Sequence, residues 1–164
     1  MILVDTNILG TFARVNALEL LFALFRREEI GLAPAVYAEL LAGIREGRQF
    51  LQAAIDVIES GRLKLIALTA DEVVQRQKLP ASLDDGEAES IVLCQVRDAA
   101  FITNDRRARN FCLSQHIEVF DLIDILRALW KLGIRSKRSV RQLVKEIEGK
   151  ERMVIKHRDR IFDE

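Results

Sequence analysis

Two short apolar runs in this chain end in aspartate. Met1-Ile-Leu-Val4 leads into Asp5-Thr6-Asn7, and Phe101-Ile-Thr103 leads into Asn104-Asp105. An ionised carboxylate just beyond a buried strand adds nothing to packing. Open α/β sheets bind their ligands at that place, outside the carboxyl ends of the strands. Helix capping is the plainer role for either aspartate. Two more acids change the weighing. Glu39 stands in an otherwise apolar turn, Val36-Tyr-Ala-Glu39-Leu-Leu, where a buried carboxylate requires a partner. Glu87 follows Asp84-Asp85-Gly86 and, with Glu89, completes four acids within six residues. A solvated acidic loop is the plain alternative for that cluster.

Carboxylates brought together repel one another and hold their protons more tightly. A hard divalent cation relieves that repulsion, and Mg²⁺ or Mn²⁺ takes oxygen ligands. Zinc is disfavoured because no His/Cys ligand set is present. The two histidines, His116 and His157, lie outside the acidic segments and read as surface residues. An ion held by carboxylates suits phosphodiester hydrolysis. It acidifies a bound water and stabilises charge on the phosphate, while a carboxylate can take the proton.

The neighbours of these acids fit supporting roles. Thr6, Asn7, Thr103 and Asn104 can hydrogen-bond a carboxylate or a metal-bound water, or simply cap helices. Arg106, Arg107 and Arg109 follow Asp105 and could meet substrate phosphate, or balance local carboxylates. Tyr37 and Trp130 sit at core spacings and read as packing. Cys94 and Cys112 read as small core residues, which fits a reducing cytoplasm.

The elements needed to position the acids are legible as a pattern. Strands are expected at Met1–Val4, Ile30–Ala33, Leu63–Leu68, Phe101–Thr103 and Ile117–Phe120. Helices alternate with them. One opens at Pro34, a position where proline is favoured, and another runs Glu87–Arg97 after a loop over 82–86. Alternating strands and helices imply a parallel sheet covered on both faces. The chain has 164 residues, 49% of them hydrophobic, enough for one domain without disulfides. No apolar run reaches the length of a membrane span, and no glycine-rich turn follows the first strand to hold a dinucleotide. Net charge is zero, yet unevenly placed. Residues 131–164 carry eleven Lys/Arg against six Asp/Glu, which leaves residues 1–130 acidic. The basic tail is either a solvated helix face or a surface for phosphates. On the second reading, Lys137, Arg138 and Arg141 contribute to that surface.

Taken together, these segments resemble the motifs of PIN-domain ribonucleases. Asp5-Thr6-Asn7 after an apolar strand is similar to the first motif, and Glu39 in Pro-Ala-Val-Tyr-Ala-Glu-Leu to the second. Thr103-Asn104-Asp105 is similar to the fourth. The family's third acid stands about eighteen residues before the fourth, which points to Glu87 in place of the more usual aspartate. Asp85 is the alternative there and Asp84 a more distant one. Gly86-Glu87-Ala88-Glu89-Ser90-Ile91 resembles the G-E-A-E-x-I form of one PIN branch. The resemblance spans roughly residues 1–125. It implies a three-layer α/β/α sandwich over 1–130, extended by basic helices over 131–164. It also implies Asp5, Glu39, Glu87 and Asp105 as catalytic and metal-binding residues, Mg²⁺ or Mn²⁺ dependence, endoribonuclease activity and a homodimer. Many members are VapC-like toxins of type II toxin–antitoxin pairs, each held by a small antitoxin protein. A catalytically silent PIN-like RNA-binding module is the second reading. A phospho-acceptor receiver domain is a third, disfavoured because adjacent acids after the first strand and a late lysine are lacking.

Overall fold

The computed structural model describes residues 1–164. Five strands form one all-parallel sheet in the order β3-β2-β1-β4-β5: β1 Ile2–Val4, β2 Ile30–Leu32, β3 Lys64–Leu65, β4 Ala100–Ile102 and β5 Val119–Phe120. Ten α-helices connect and cover them. They are α1 Thr6–Arg14, α2 Leu18–Leu24, α3 Pro34–Arg45, α4 Gln52–Glu59, α5 Ala70–Arg76, α6 Asp85–Arg97, α7 Arg106–Ser114, α8 Leu122–Lys131, α9 Lys137–Glu151 and α10 Asp159–Phe162. A 3₁₀ turn, Gln49–Leu51, precedes α4. The architecture is the expected α/β/α sandwich.

β1, β2 and β4 are buried along their whole length, as strands covered on both faces must be. This explains their continuous apolar runs. The expected strand over 63–68 shrinks to Lys64–Leu65, both exposed at the sheet edge. The expected loop before Glu87 is shorter too. Asp84 caps α6, so Asp85 and Gly86 already lie in its first turn.

β1 is central, and the chain leaves it towards β2 on one side and later returns as β4 on the other. Val4 pairs in register with Ile102, so the ends of β1 and β4 lie side by side at the point where strand order reverses. Asp5 and Thr103 follow directly. The core beneath them is one cluster that includes Leu3, Phe12, Ile91 and Phe101, all fully buried. Cys94 and Cys112 are buried and unpaired in it. Burial pushes the Cys112 thiol up to about 12 and Cys94 higher still, so both stay protonated and behave as core residues.

The basic tail lies on the body. Val140, Val144 and Ile147 of α9 are buried, with α9 against α1 and α8 and α10 against α8. Trp130 donates from Nε1 to the Ile161 carbonyl at 2.6 Å. Lys137 sits 4.5 Å from the centre of the Trp130 ring, and Arg141 lies 5.0 Å from that of Phe162. His116 and His157 are exposed, each at positive φ.

One ion pair fixes α5 to α6. Glu72, only 2% exposed, completes the capping box of α5 with Thr69. It also accepts both Nε and an Nη of Arg97 at 2.8 Å. Chiefly through Arg97, its carboxyl is lowered to about 2. Losing the arginine strands a buried charge, at a cost of about 2–3 kcal/mol with the guanidinium partly in water. Arg97→Leu is therefore expected to lower urea stability by that amount at neutral pH. A carboxyl lowered in the folded state stabilises above its unfolded value, and that stability is lost as pH falls towards 2. The difference between Arg97→Leu and the unaltered chain should accordingly shrink as acid is added below about pH 4.5. A constant difference would assign the pair no electrostatic role.

Candidate active site

The acids gather because parallel strands point their carboxyl ends the same way. Asp5 is the N-cap of α1, accepting from the Thr6 N–H at 2.8 Å. Its backbone N–H donates to the Ile102 carbonyl at 3.0 Å, continuing the β1–β4 ladder by one residue. The other carboxylate oxygen accepts the Thr103 hydroxyl at 2.7 Å and the Asn7 amide at 3.1 Å. Thr103 is fully buried, and its oxygen also accepts the Asp105 N–H at 3.1 Å. Asn7 in turn accepts the Asn104 N–H at 3.2 Å. Thr6 donates its hydroxyl to Glu39 on α3. All four supporting residues inferred from sequence therefore touch a candidate acid or bridge two segments of the site.

Asp5, Glu39 and Asp84 line one open cleft of about 490 Å³, together with Thr6, Asn7 and Asn104. Asp5 is 4% exposed. Burial, reinforced by the charges of Asp84 and Glu39, raises its carboxyl to about 6. Glu39 is raised by burial and by Asp84 and Asp85. Glu87 is raised to about 7 by burial, then by Asp84, Asp105 and Asp5. These mutual effects place Asp5, Glu39, Asp84, Glu87 and Asp105 within one electrostatic neighbourhood.

The candidates for the third acid, Glu87, Asp85 and Asp84, lie in different surroundings. Glu87 is buried and turns back to accept the Asp84 N–H at 3.0 Å, closing the capping box of α6. Asp84, ranked last by sequence, is the member of the acidic segment on the cleft wall. Asp85, the expected alternative ligand, is exposed and paired with Arg76. Glu89 reaches across to the N-terminus of α3, accepting the Ala35 N–H at 2.7 Å. Asp105 caps α7, accepting from Arg107 and Ala108 at 2.8 and 2.9 Å, and does not line the cleft. Spacing along a helix does not report which member of a capping box faces outward.

The arginines after Asp105 divide as well. Arg106 and Arg107 are exposed beside it. Arg109 bridges Asp121 and Asp124 at the start of α8, in line with the charge-balancing role of the two its position allowed. Tyr37 is half-buried and packs against the core.

At Gly86, α6 approaches α3 closely. A Cβ there would stand 2.8 Å from Glu39 Oε1 and 3.1 Å from Val36. Gly86 thus brings the Asp84 end of α6 against Glu39.

The donor set fits a hard divalent cation. Every acidic group on the cleft is an oxygen ligand, no His or Cys lines it, and the raised carboxyls are those a cation would re-ionise. No three of the acids are preassembled as a ligand set. Each is instead satisfied by backbone N–H groups, a hydroxyl or an amide.

The all-parallel sheet thus carries its acids just beyond the strand ends where strand order reverses, the ligand-binding position of open α/β folds. The chain matches the PIN-domain family over residues 1–158 and belongs to it. The match extends through α9, beyond the motif region. No curated protein matches the chain. PIN domains are generally nucleases and typically use divalent metals.

Two measurements test the electrostatics. An acid raised in the folded state stabilises below its unfolded value and loses that contribution as pH rises through its folded value. Asp5 and Glu87 should therefore make the metal-free chain lose Tm between about pH 4 and pH 7. Mg²⁺ or Mn²⁺ at pH 7.5 should restore it; at a hundredfold excess over Kd the gain is about 2.7 kcal/mol. A cation-independent Tm would contradict the site. Separately, Gly86→Ala should displace Glu39 and weaken Mn²⁺ binding about tenfold, the equivalent of about 1.4 kcal/mol, with Tm little changed. Unaltered affinity by calorimetry would show that the glycine has no part in placing Glu39.

Proposed function

We propose that this protein is a metal-dependent endoribonuclease that hydrolyses RNA phosphodiester bonds at the Asp5–Glu39–Asp84 cleft. The observation that carries the reading is the buried Asp5 carboxylate, raised to about 6 and facing other acids, at the junction of β1 and β4. A fold retains such a group at a cost in stability when function requires it.

Asp5, Glu39 and Asp84 would hold Mg²⁺ or Mn²⁺, and the charges of Glu87 and Asp105 act in the same neighbourhood. The ion, when bound, supplies an acidified water and charge stabilisation at the phosphate. Thr103 and Asn7 hold Asp5 in a single orientation, so its charge is aimed before substrate arrives. Thr6 does the same for Glu39. One of the carboxylates on the cleft would take the proton from the attacking water. Arg106 and Arg107, exposed beside Asp105, would meet substrate phosphate.

The family resemblance adds the role of toxin in a type II toxin–antitoxin pair, a homodimeric state and a cytoplasmic site of action. On that reading a small antitoxin would cover the cleft. The second reading is a PIN-like module that binds RNA without cutting it. It is disfavoured because all four acid positions of the resemblance, Asp5, Glu39, Glu87 and Asp105, are filled.

Asp5→Asn is expected to reduce Mg²⁺- or Mn²⁺-dependent cleavage of a labelled RNA by at least a thousandfold, about 4 kcal/mol in the barrier. The same variant should melt no lower than the unaltered chain without metal, because a strained buried charge has been removed. Full activity in Asp5→Asn would eliminate the mechanism. RNA binding without cleavage by the unaltered chain, in either metal, would favour the silent module.

A further inference from the structure

The acidic cleft continues past the carboxylates into a second, basic groove. Asn7, Gly10, Thr11 and Arg14 are spaced as one face of α1, and all four line the cleft. Arg14 lies about 13 Å along the helix from Asp5, nine residues at about 1.5 Å each. A neighbouring hollow of about 550 Å³ shares Arg14 with the cleft and adds Lys150 and Arg152 from the end of α9. Three cations there face one carboxylate, Glu151, which is engaged by the Thr11 hydroxyl at 2.8 Å.

The geometry at Arg14 suits a ligand. The guanidinium pairs with no carboxylate; it lies 4.1 Å from the centre of the Phe50 ring and reaches the Lys150 carbonyl at 3.4 Å. Lys150 returns a bond from Nζ to the Arg14 carbonyl at 3.5 Å. The ends of α1 and α9 are thereby clamped together, with most guanidinium donors left over. Arg152 ends α9 in the left-handed region, φ 51°, and is exposed. The cations earlier in the tail are differently disposed. Lys137 and Arg141 cover Trp130 and Phe162 and line neither hollow.

We propose that the groove formed by Arg14, Lys150 and Arg152 binds the phosphate backbone of single-stranded RNA and leads it to the acidic cleft. The C-terminal helix then serves as a wall of the substrate path. This rests on the endoribonuclease reading and names where its substrate lies. A flexible single strand can follow the face of α1 from Asn7 to Arg14, all of it on the cleft wall. The charge order also suits the chemistry: acids that need a cation at one end, fixed cations for flanking phosphates at the other. Specificity for base identity is not required of such contacts, which position the backbone.

The test uses the full chain carrying Asp5→Asn, so that RNA survives, and a short fluorescein-labelled single-stranded RNA read by anisotropy across a salt series. Arg14→Gln and the pair Lys150→Gln with Arg152→Gln are each expected to weaken binding about tenfold. The slope of log K against log salt should fall by about 0.7 per cation removed. Arg14→Lys should recover most of the loss, which separates charge from packing on Phe50. Lys137→Gln with Arg141→Gln should change affinity little. Groove variants that bind like the parent, a tail variant that weakens binding equally, or a parent that binds no RNA would each overturn the proposal. Cleavage by the chain without Asp5→Asn is scored separately in Mg²⁺ and Mn²⁺. RNA cut normally with all groove variants refutes the path alone, whereas no cutting by the unaltered chain refutes the endoribonuclease reading.

Discussion

The parallel pairing of β1 with β4 is the constraint on which the site depends. It sets Val4 beside Ile102 and so places the Asp5 carboxylate against the Thr103 hydroxyl at 2.7 Å. Residues almost a hundred positions apart become immediate neighbours at the edge of a dry core. A carboxylate in that position is costly unless it is hydrogen-bonded and, in use, paired with positive charge. Thr103, Asn7 and the α1 N-terminus meet the first requirement. The second defines the chemistry of the cleft.

Helix capping and site chemistry turn out to be one arrangement. Asp5, Asp84 and Asp105 are the N-caps of α1, α6 and α7. Each carboxylate therefore sits at the positive end of a helix, which offsets part of the repulsion between the acids. Capping holds these side chains in defined positions, and it also occupies oxygens that a cation would have to win. At Asp5 burial raises the carboxyl even though its hydrogen bonds from Thr103 and Thr6 oppose the shift. Capping and ligation, posed as alternatives by sequence, are compatible roles for the same atoms.

The two halves of the charge asymmetry also acquire different meanings once folded. The acidic body concentrates its charge at the strand ends. The basic tail spreads its charge, with Lys137 and Arg141 laid over aromatic rings of the tail's own packing surface and Lys150 and Arg152 delivered to the groove beside α1. Composition could register the excess of cations but not this division, because it depends on which face of α9 meets α1 and α8.

Local periodicity was enough to identify the parallel α/β class, the burial of β1 and β4, the helix opened by Pro34 and the acids at the strand ends. Those features follow from backbone geometry and side-chain hydrophobicity within a few residues. Asp5 and Glu39 were legible for the same reason: each is a charge inside an apolar segment. The choice among Asp84, Asp85 and Glu87 was not, since all three open one helix and only the docking of α6 on α3 through Gly86 decides which carboxylate faces the cleft. Which of its two readings Arg109 takes was not legible either, because its partners, Asp121 and Asp124, belong to the next helix. The sequence by itself determined which side chains are available and which segments must be buried. Tertiary structure alone decided which charges meet, because electrostatic interaction depends on separation in space and on exclusion of water, neither of which is a local property of the chain.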